Sequence, residues 1–428
     1  MRILNTKNLA VKEILSELSR QRSKLNDVKN TVLEILGMVR EEGDKSLFKL
    51  TEKFDGVRLE DFVVTKKEID EAYESIDRNL FKAIKFAKKN IEKFHDKILC
   101  RKESAVETVN GVKVWREFRP IDKVGLYVPG GKAPYFSTVL MLGVPAMLAG
   151  CQEVVMCTPV PGDSKVNPAI LVAADFCGIK KIFKIGGAQA IAAMAYGTET
   201  VPKVYKIFGP GNQYVSTAKM LVYGEVDIDM PAGPSELMII ANNDARIKWV
   251  AADLLSQLEH GTDSQVVLVT FEEKFAKDVI SEMRKQMRFL SRREIIEQSF
   301  LKSFAIVVRS TDEACCVANE YAPEHLEIIT DKPKDVLKNI INVGSVFLGH
   351  YASEPLGDYA TGSNHTLPTS GFARMFGPLS TDSFGKMIQV QEVSFVGINN
   401  LSKFAQIMAD KEGLDAHKNS INIRFKND

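Results

Sequence analysis

Residues 124–129 read VGLYVP, 153–159 EVVMCTP, 181–186 KIFKIG, 203–209 KVYKIFG and 226–230 VDIDM, and these short β-rich runs decide the fold. Between them lie STVLMLGVPAMLAG (137–150), PAILVAADFCG (168–178), AQAIAAMAYG (188–197) and QYVSTAKMLVYG (213–224), which read as helices. Strands separated by helical stretches of this length are joined by crossovers rather than hairpins, so they run parallel with helices on the sheet faces. A second alternating series follows. ELMIIAN (236–242), QVVLVT (265–270), FAIVVRS (304–310), HLEIIT (325–330) and GSVFLG (344–349) read as its strands, with helical stretches between them, the first running to Gly261. Two consecutive α/β units are expected.

Outward from this centre the pattern weakens. The first hundred residues are polar and helical, and Ile69, Ala72, Ile76, Leu80, Ile84, Ala87, Ile91 and Phe94 predict one long surface helix with a single buried stripe. His95 falls in that helix, where a structural or exposed role is expected. Residues 351–381 are rich in Gly, Ser, Thr and Pro, and so long a loop in a compact chain is usually functional. The tail holds one strand-like run, MIQVQEVSFVG (387–397), and one or two helices. It is too small for a core of its own and should dock on something. There is no internal repeat and no low-complexity tract.

With 428 residues, two major domains are expected. A net charge of +1 gives no field to hold a polyanion, so a nucleic-acid partner is not expected. Mixed runs such as Lys66-Lys67-Glu68 mark solvated helix faces. No stretch has the roughly 18 uncharged apolar residues of a membrane span, and MRILNTKNLAVK at the start has no signal-peptide pattern. A soluble, cytoplasmic protein is expected. Cys100, Cys151, Cys157, Cys177, Cys315 and Cys316 lack CxxC spacing and mostly sit in apolar runs, which suits reduced, buried thiols. Any metal would therefore be held mainly by His and oxygen ligands.

Histidine is scarce, with six residues, so its placement is informative. In LLSQLEHG (254–261), Gln257 and His260 stand three apart and share one helix face. In YAPEHLEII (321–329), Glu324 and His325 stand at the entry of a strand, an acid beside an imidazole, which suits general-base work near neutrality. SEPLGDYATGSNHTLPTSG (353–371) brings Glu354, Asp358 and His365 into a Gly-punctuated loop, and EGLDAHKNSI (412–421) places Glu412 and His417 near the end of the chain. Each segment alone reads more readily as an ordinary polar loop or helix end than as a site. Together they offer Gln, His, Asp and His, an N/O donor set suited to zinc. Two glycine-rich turns precede them, YVPGGKAPYFST (127–138) and FGPGN (208–212). The dinucleotide fingerprint GxGxxG is absent, because Tyr214 stands where its third Gly belongs. IGGAQAI (185–191) follows a strand and opens a helix, where a phosphate could sit, or the glycines could simply make tight turns.

VGLYVPGGKAPYFSTVLM, GGAQAIAA, KIFGPGN, MPAGPSE, LLSQLEHG, APEHLE, GDYATGSNHTLPT and LDAH occur in this order between about residue 120 and residue 417. Together they resemble the histidinol dehydrogenase family. Leu258 departs from the family, which commonly carries Ala there, but it points away from the face of Gln257 and His260.

The resemblance implies an α/β fold of two consecutive Rossmann-like (incomplete dinucleotide-binding) parallel-sheet domains, with a helical N-terminal region and a small C-terminal tail domain. The implied divisions are an N-terminal helical arm (1–22), a first α/β domain (23–123 and 236–380), a second (124–235), and a tail (381–428) that docks on a partner subunit. By the same resemblance Gln257, His260, Asp358 and His417 match zinc ligands, one zinc per subunit, and Glu324 and His325 the catalytic acid–base pair. The substrate L-histidinol would meet Ser235, Glu354, His365 and Glu412 besides Gln257, His260, His325, Asp358 and His417. Tyr127, Gln189 and Asn212 match contacts to the cofactor NAD. The implied assembly is a homodimer with shared active sites, and the implied reaction a four-electron oxidation in L-histidine biosynthesis. A zinc hydrolase or aldolase using no NAD, and a non-catalytic metal- or histidine-binding protein, are the rival classes. The Glu324-His325 pair speaks against the last, since binding alone needs no acid–base pair.

Overall fold

The strand Lys123–Tyr127 is the middle of a five-stranded parallel sheet whose order is Lys181–Phe183, Glu153–Cys157, Lys123–Tyr127, Lys206–Phe208, Asp227–Ile228. The computed structural model describes residues 1–18, 25–130, 133–160, 162, 164–231 and 233–425, with backbone alone for 25–27. Both faces of this sheet are covered, which is why its strands read as continuous apolar runs. Val124, Leu126 and Met156 face one core, and Tyr127, Val155 and Cys157 the other. The helices Phe136–Ala149 and Pro168–Phe176 fill the first, Gly187–Tyr196 and Gln213–Val222 the second. At Gly125 an added Cβ would lie 2.7 Å from the Met194 sulfur, so only glycine lets that helix approach the sheet.

The expected alternation from residue 236 onward forms a six-stranded parallel sheet, ordered Arg2–Asn5, Phe304–Val307, Gln265–Thr270, Glu236–Ala241, His325–Ile329, Ser345–Leu348. In both sheets the first strand of the main series is central, and the chain builds one side before crossing to the other. The α/β class with two parallel sheets is thus observed.

The packing groups the N-terminal region differently from the expected divisions. Arg2–Asn5 is a strand at the edge of the six-stranded sheet, followed by the helix Val11–Glu17, so residues expected as a helical arm extend that sheet. The helices Leu25–Glu42 and Asp44–Asp55 lie over Gly187–Tyr196 and Gln213–Val222, while Lys66–Ser75 and Arg78–Ile98 lie over Pro168–Phe176 and Phe136–Ala149. Their apolar stripes, such as Val32, Ile35, Leu36 and Val39, complete the cores of the five-stranded sheet, not the six-stranded one. The expected division between residues 22 and 23 lies outside the described residues.

Two further local expectations are corrected, and one element was not foreseen. The single helix over 69–97 is two, because Ile76 is extended (φ −68°, ψ 138°) and the Asp77 carboxylate accepts from Asn79 N and Leu80 N, capping a new start. Residues 106–120 form an unexpected hairpin, Val106–Val109 with Val112–Pro120, turned at Asn110-Gly111 with Gly111 at φ +83°. Gly385–Val393 pairs antiparallel with Val112–Pro120, making a three-stranded sheet, and Ser394 then caps the helix Phe395–Lys411, so the end of the expected MIQVQEVSFVG strand is helical. His95 is fully buried, and burial pushes its imidazole down to about 4, so it is structural and neutral. The cysteines are free thiols; Cys157, Cys177 and Cys315 are buried, but Cys100 and Cys316 are exposed. No helix among the described residues is long and apolar enough to cross a membrane.

Candidate active site

The two sheets face each other across a cleft. Gly209 and Asp229, just past the carboxyl ends of the five-stranded sheet, line it on one side; Ser235 and Glu324, just before the amino ends of the six-stranded sheet, line it on the other, with His365 between. The loop between Asp229 and Glu236 bridges the sheets. It is anchored by Asp229, whose carboxylate accepts from Gly209 N (2.7 Å) and Met230 N (2.7 Å) and pairs with the buried Lys219, which also donates to Gly209 O (2.9 Å). Ala232 of this loop, and Gly131 and Lys132 of the first glycine-rich turn, lie outside the described residues.

Glu324 and His325 enter the strand His325–Ile329 as expected, but as a buried pair rather than a solvated turn. Both are held by one neighbouring residue. Glu236 N donates to Glu324 Oε2 (2.9 Å), and His325 Nδ1 lies 3.2 Å from Glu236 O. A carbonyl can only accept, so the ring proton sits on Nδ1 and Nε2 keeps its lone pair. That Nε2 is 4.0 Å from Asp358 Oδ1. Burial lowers the His325 pKa to about 4 against the opposing pull of Asp358, leaving a neutral base.

His260, Glu354 and Asp358 each bring a ligand atom within 4.8 Å of the others. His260 stands just past the end of the helix Ile247–Leu258, with its N–H on Gln257 O at 3.4 Å, so the expected shared face persists although the helix has ended. Asp358 and Glu354 are one turn apart on the short helix Glu354–Tyr359, which lies inside the expected long loop. Burial, then Asp358, raises the Glu354 carboxyl to about 10, while burial lowers His260. Gln257 is 1% exposed, and neither its oxygen nor its nitrogen has a protein partner; Glu354 Oε1 is likewise buried and unpartnered. Leaving such groups unsatisfied costs about 1–3 kcal/mol each. Crowded acid, imidazole and orphaned amide oxygen fit a cation with N/O ligands.

The other expected residues divide. Tyr127 ends the central strand of the five-stranded sheet, at the point where strand order reverses and dinucleotides bind in related architectures. Its hydroxyl accepts from Gly187 N (3.1 Å) at the start of the helix Gly187–Tyr196, and the buried Gln189 has an unpartnered Nε2 in the first turn of that helix. Asn212 Oδ1 is engaged in capping its own helix, accepting from Tyr214 N and Val215 N. Glu412 and His417 are exposed on the tail, and His417 is not in the cluster with His260 and Asp358.

Comparison with known proteins places the chain in a family. The histidinol dehydrogenase family profile matches residues 18–425. The chain belongs to the histidinol dehydrogenase family. It is 50% identical over 398 residues to histidinol dehydrogenase of Bacteroides fragilis strain YCH46, covering 93% of each chain. It is 47% identical over 429 residues to that of Clostridium acetobutylicum, covering 100% of this chain and 99% of the relative. The crystal structure of histidinol dehydrogenase from Elizabethkingia anophelis superposes with a TM-score of 0.95 at 45% identity, covering 99% of this chain and 98% of that one. Family membership makes the chain an oxidoreductase.

Three acids of this family member escaped the sequence reading: Glu236, Asp253 and Glu327. Glu236 fixes the catalytic candidates through its backbone and accepts from Ser370 N (3.2 Å) through its side chain. The signal for Glu327 was a charge inside HLEII, otherwise an apolar strand, and for Asp253 its position one turn before Gln257.

Proposed function

We propose that the chain is a zinc-dependent histidinol dehydrogenase that oxidises L-histidinol to L-histidine by way of L-histidinaldehyde, using two NAD, in the last steps of L-histidine biosynthesis in the cytoplasm. The observation that carries this reading is the buried Glu324-His325 pair, with His325 Nε2 free as a base and facing Asp358, in a chain of this family.

Gln257, His260 and Asp358 would hold the zinc with His417 of a second subunit. When bound, zinc supplies a Lewis-acid anchor that orients the amino alcohol, and NAD supplies the hydride acceptor for each half-reaction. The chain's own residues do the proton work. His325 Nε2 takes a hydroxyl proton in each oxidation, first from the alcohol and later from the hydrate. Glu324 then takes a proton from water, which adds to the aldehyde, and the hydrate is oxidised in turn. Ser235, Glu354, His365 and Glu412 would complete the substrate pocket, keeping the reactive amino aldehyde from escaping. Tyr127, Gln189 and Asn212 would meet the cofactor at the carboxyl ends of the five-stranded sheet.

The tail supports a homodimer with shared sites. Phe395 (68% exposed), Phe404, Ile407, Met408 and Ile423 leave it with far more exposed apolar surface than isolated surface residues explain. A tail that buries this face on a second copy would carry His417 and Glu412 to that copy's cleft. The expected tail boundary at residue 381 belongs to the same proposal, as do the two α/β domains.

The metal is tested by removal. A strong chelator should abolish turnover while circular dichroism and the unfolding midpoint show a chain that stays folded, and added zinc should restore activity. The ligands come from separate, independently packed elements rather than a metal-nucleated knuckle. Full activity in metal-free protein would overturn the zinc assignment.

A further inference from the structure

Beneath the cluster of His260, Glu354 and Asp358 lies a second pair of acids. Asp253 is one turn before Gln257 on the helix Ile247–Leu258 and shares its face. Glu327 is two residues after His325 in the strand His325–Ile329, so the two point to the same side of the sheet. Burial raises both carboxyl groups above the usual carboxylate range, and the neighbouring Asp253 charge raises Glu327 further. Their hydrogen bonds converge on the start of the helix Glu354–Tyr359. Glu327 Oε1 accepts from Glu354 N (2.8 Å), and Asp253 Oδ1 accepts from Ser353 Oγ (2.8 Å). Ser353 occupies the N-cap position without capping its helix through its own side chain, so Glu327 supplies the acceptor instead.

One pair of acids therefore joins three elements: the one that carries Gln257, the one that carries His325, and the one that carries Glu354 and Asp358. The last has 6 residues and sits in a Gly-punctuated stretch, too short to hold its shape alone. Asp253, Glu327 and Glu354 do not themselves converge as a ligand set; among the described residues the one converging group is His260, Glu354 and Asp358. The pair is thus a brace and not a second metal site.

We propose that Asp253 and Glu327 are positioning residues that set the metal affinity of the site by seating the helix Glu354–Tyr359 against Gln257 and His325. This rests on the zinc reading above. Groups that orient ligands without touching the metal are commonly decisive for affinity.

The test is zinc competition against a chelator of known affinity, in the intact purified protein, with thermal unfolding of the metal-free form as the folding control. Glu327→Ala and Asp253→Ala should weaken zinc binding by about 10–100-fold, the usual cost of losing such a partner, while Glu327→Gln stays within about threefold of wild type. The amide keeps an acceptor for Glu354 N and places no charge in the buried position. Gln also restores the volume of Glu, so the part played by the hydrogen bonds apart from packing is read from Ser353→Ala. Ser353→Ala, which removes just the Asp253 contact to the helix start and should fold if the alanine variants do not, should weaken zinc severalfold. Wild-type affinity in the alanine variants or in Ser353→Ala, or equal losses in Glu327→Gln and Glu327→Ala, would overturn the proposal. A wild type that binds no zinc would defeat the metal reading, and the brace with it, and is thereby distinguishable.

Discussion

His325→Asn is expected to slow oxidation of the alcohol and of the aldehyde alike, by roughly two to four orders of magnitude, the usual worth of a positioned general base. The imidazole is buried, its Nδ1 is committed to Glu236 O, and its Nε2 lies 4.0 Å from Asp358 Oδ1. Asn can keep a polar contact to Glu236 but offers no basic nitrogen. Glu324→Gln should separate the two halves. A Gln side-chain oxygen can still accept from Glu236 N, so the local geometry survives while the base is lost. The aldehyde step, which needs activated water, should suffer most, and the alcohol step much less. The check is to supply histidinol and histidinaldehyde separately and follow NADH in each. Equal losses for Glu324→Gln in the two assays would refute the division of labour between Glu324 and His325.

The second large effect concerns the tail. His260→Ala and His417→Ala should each leave a homodimer nearly inactive, since each removes one proposed zinc ligand from every site. If His417 reaches a partner's cleft, the two defects can complement each other. In a mixed dimer, the core of the His417→Ala chain meets the intact tail of the His260→Ala chain and forms one whole site. Random pairing makes about half the dimers mixed, with about half their sites whole, so refolding an equal mixture should recover about a quarter of wild-type activity. With all ligands in one chain, no pairing could rebuild a site. Confirmed mixed dimers with no recovered activity would show that the sites are not shared. The exposed Phe404, Ile407 and Met408, three and four residues apart on one side of the helix Phe395–Lys411, give the tail a reason to leave its own chain.

The two sheets were legible because their strands are buried on both faces and separated by helical lengths, so neither periodicity nor spacing was ambiguous. The grouping of the N-terminal helices was not. An apolar stripe such as Val32, Ile35, Leu36 and Val39 says that a helix is covered, but not by which sheet. The break at Asp77 and the hairpin at Asn110-Gly111 carried local signals, a capping acid and a turn dipeptide, that were weaker than the surrounding periodicity. At the site, Glu324, His325, His260 and Asp358 were legible because scarce histidines sat beside acids. Asp253 and Glu327 were not, because a single acid in an apolar stretch announces burial without naming its partner, and that partner lies 74 positions away in the sequence. His417 lies apart from the cluster of His260, Glu354 and Asp358, and the proposed shared site would account for that separation.

A four-electron oxidation stands or falls on its stoichiometry. Purified protein with zinc, L-histidinol and excess NAD should form two NADH for each histidine, with no free aldehyde accumulating. One NADH per substrate with aldehyde released, or histidinol consumed with no NADH at all, would contradict it.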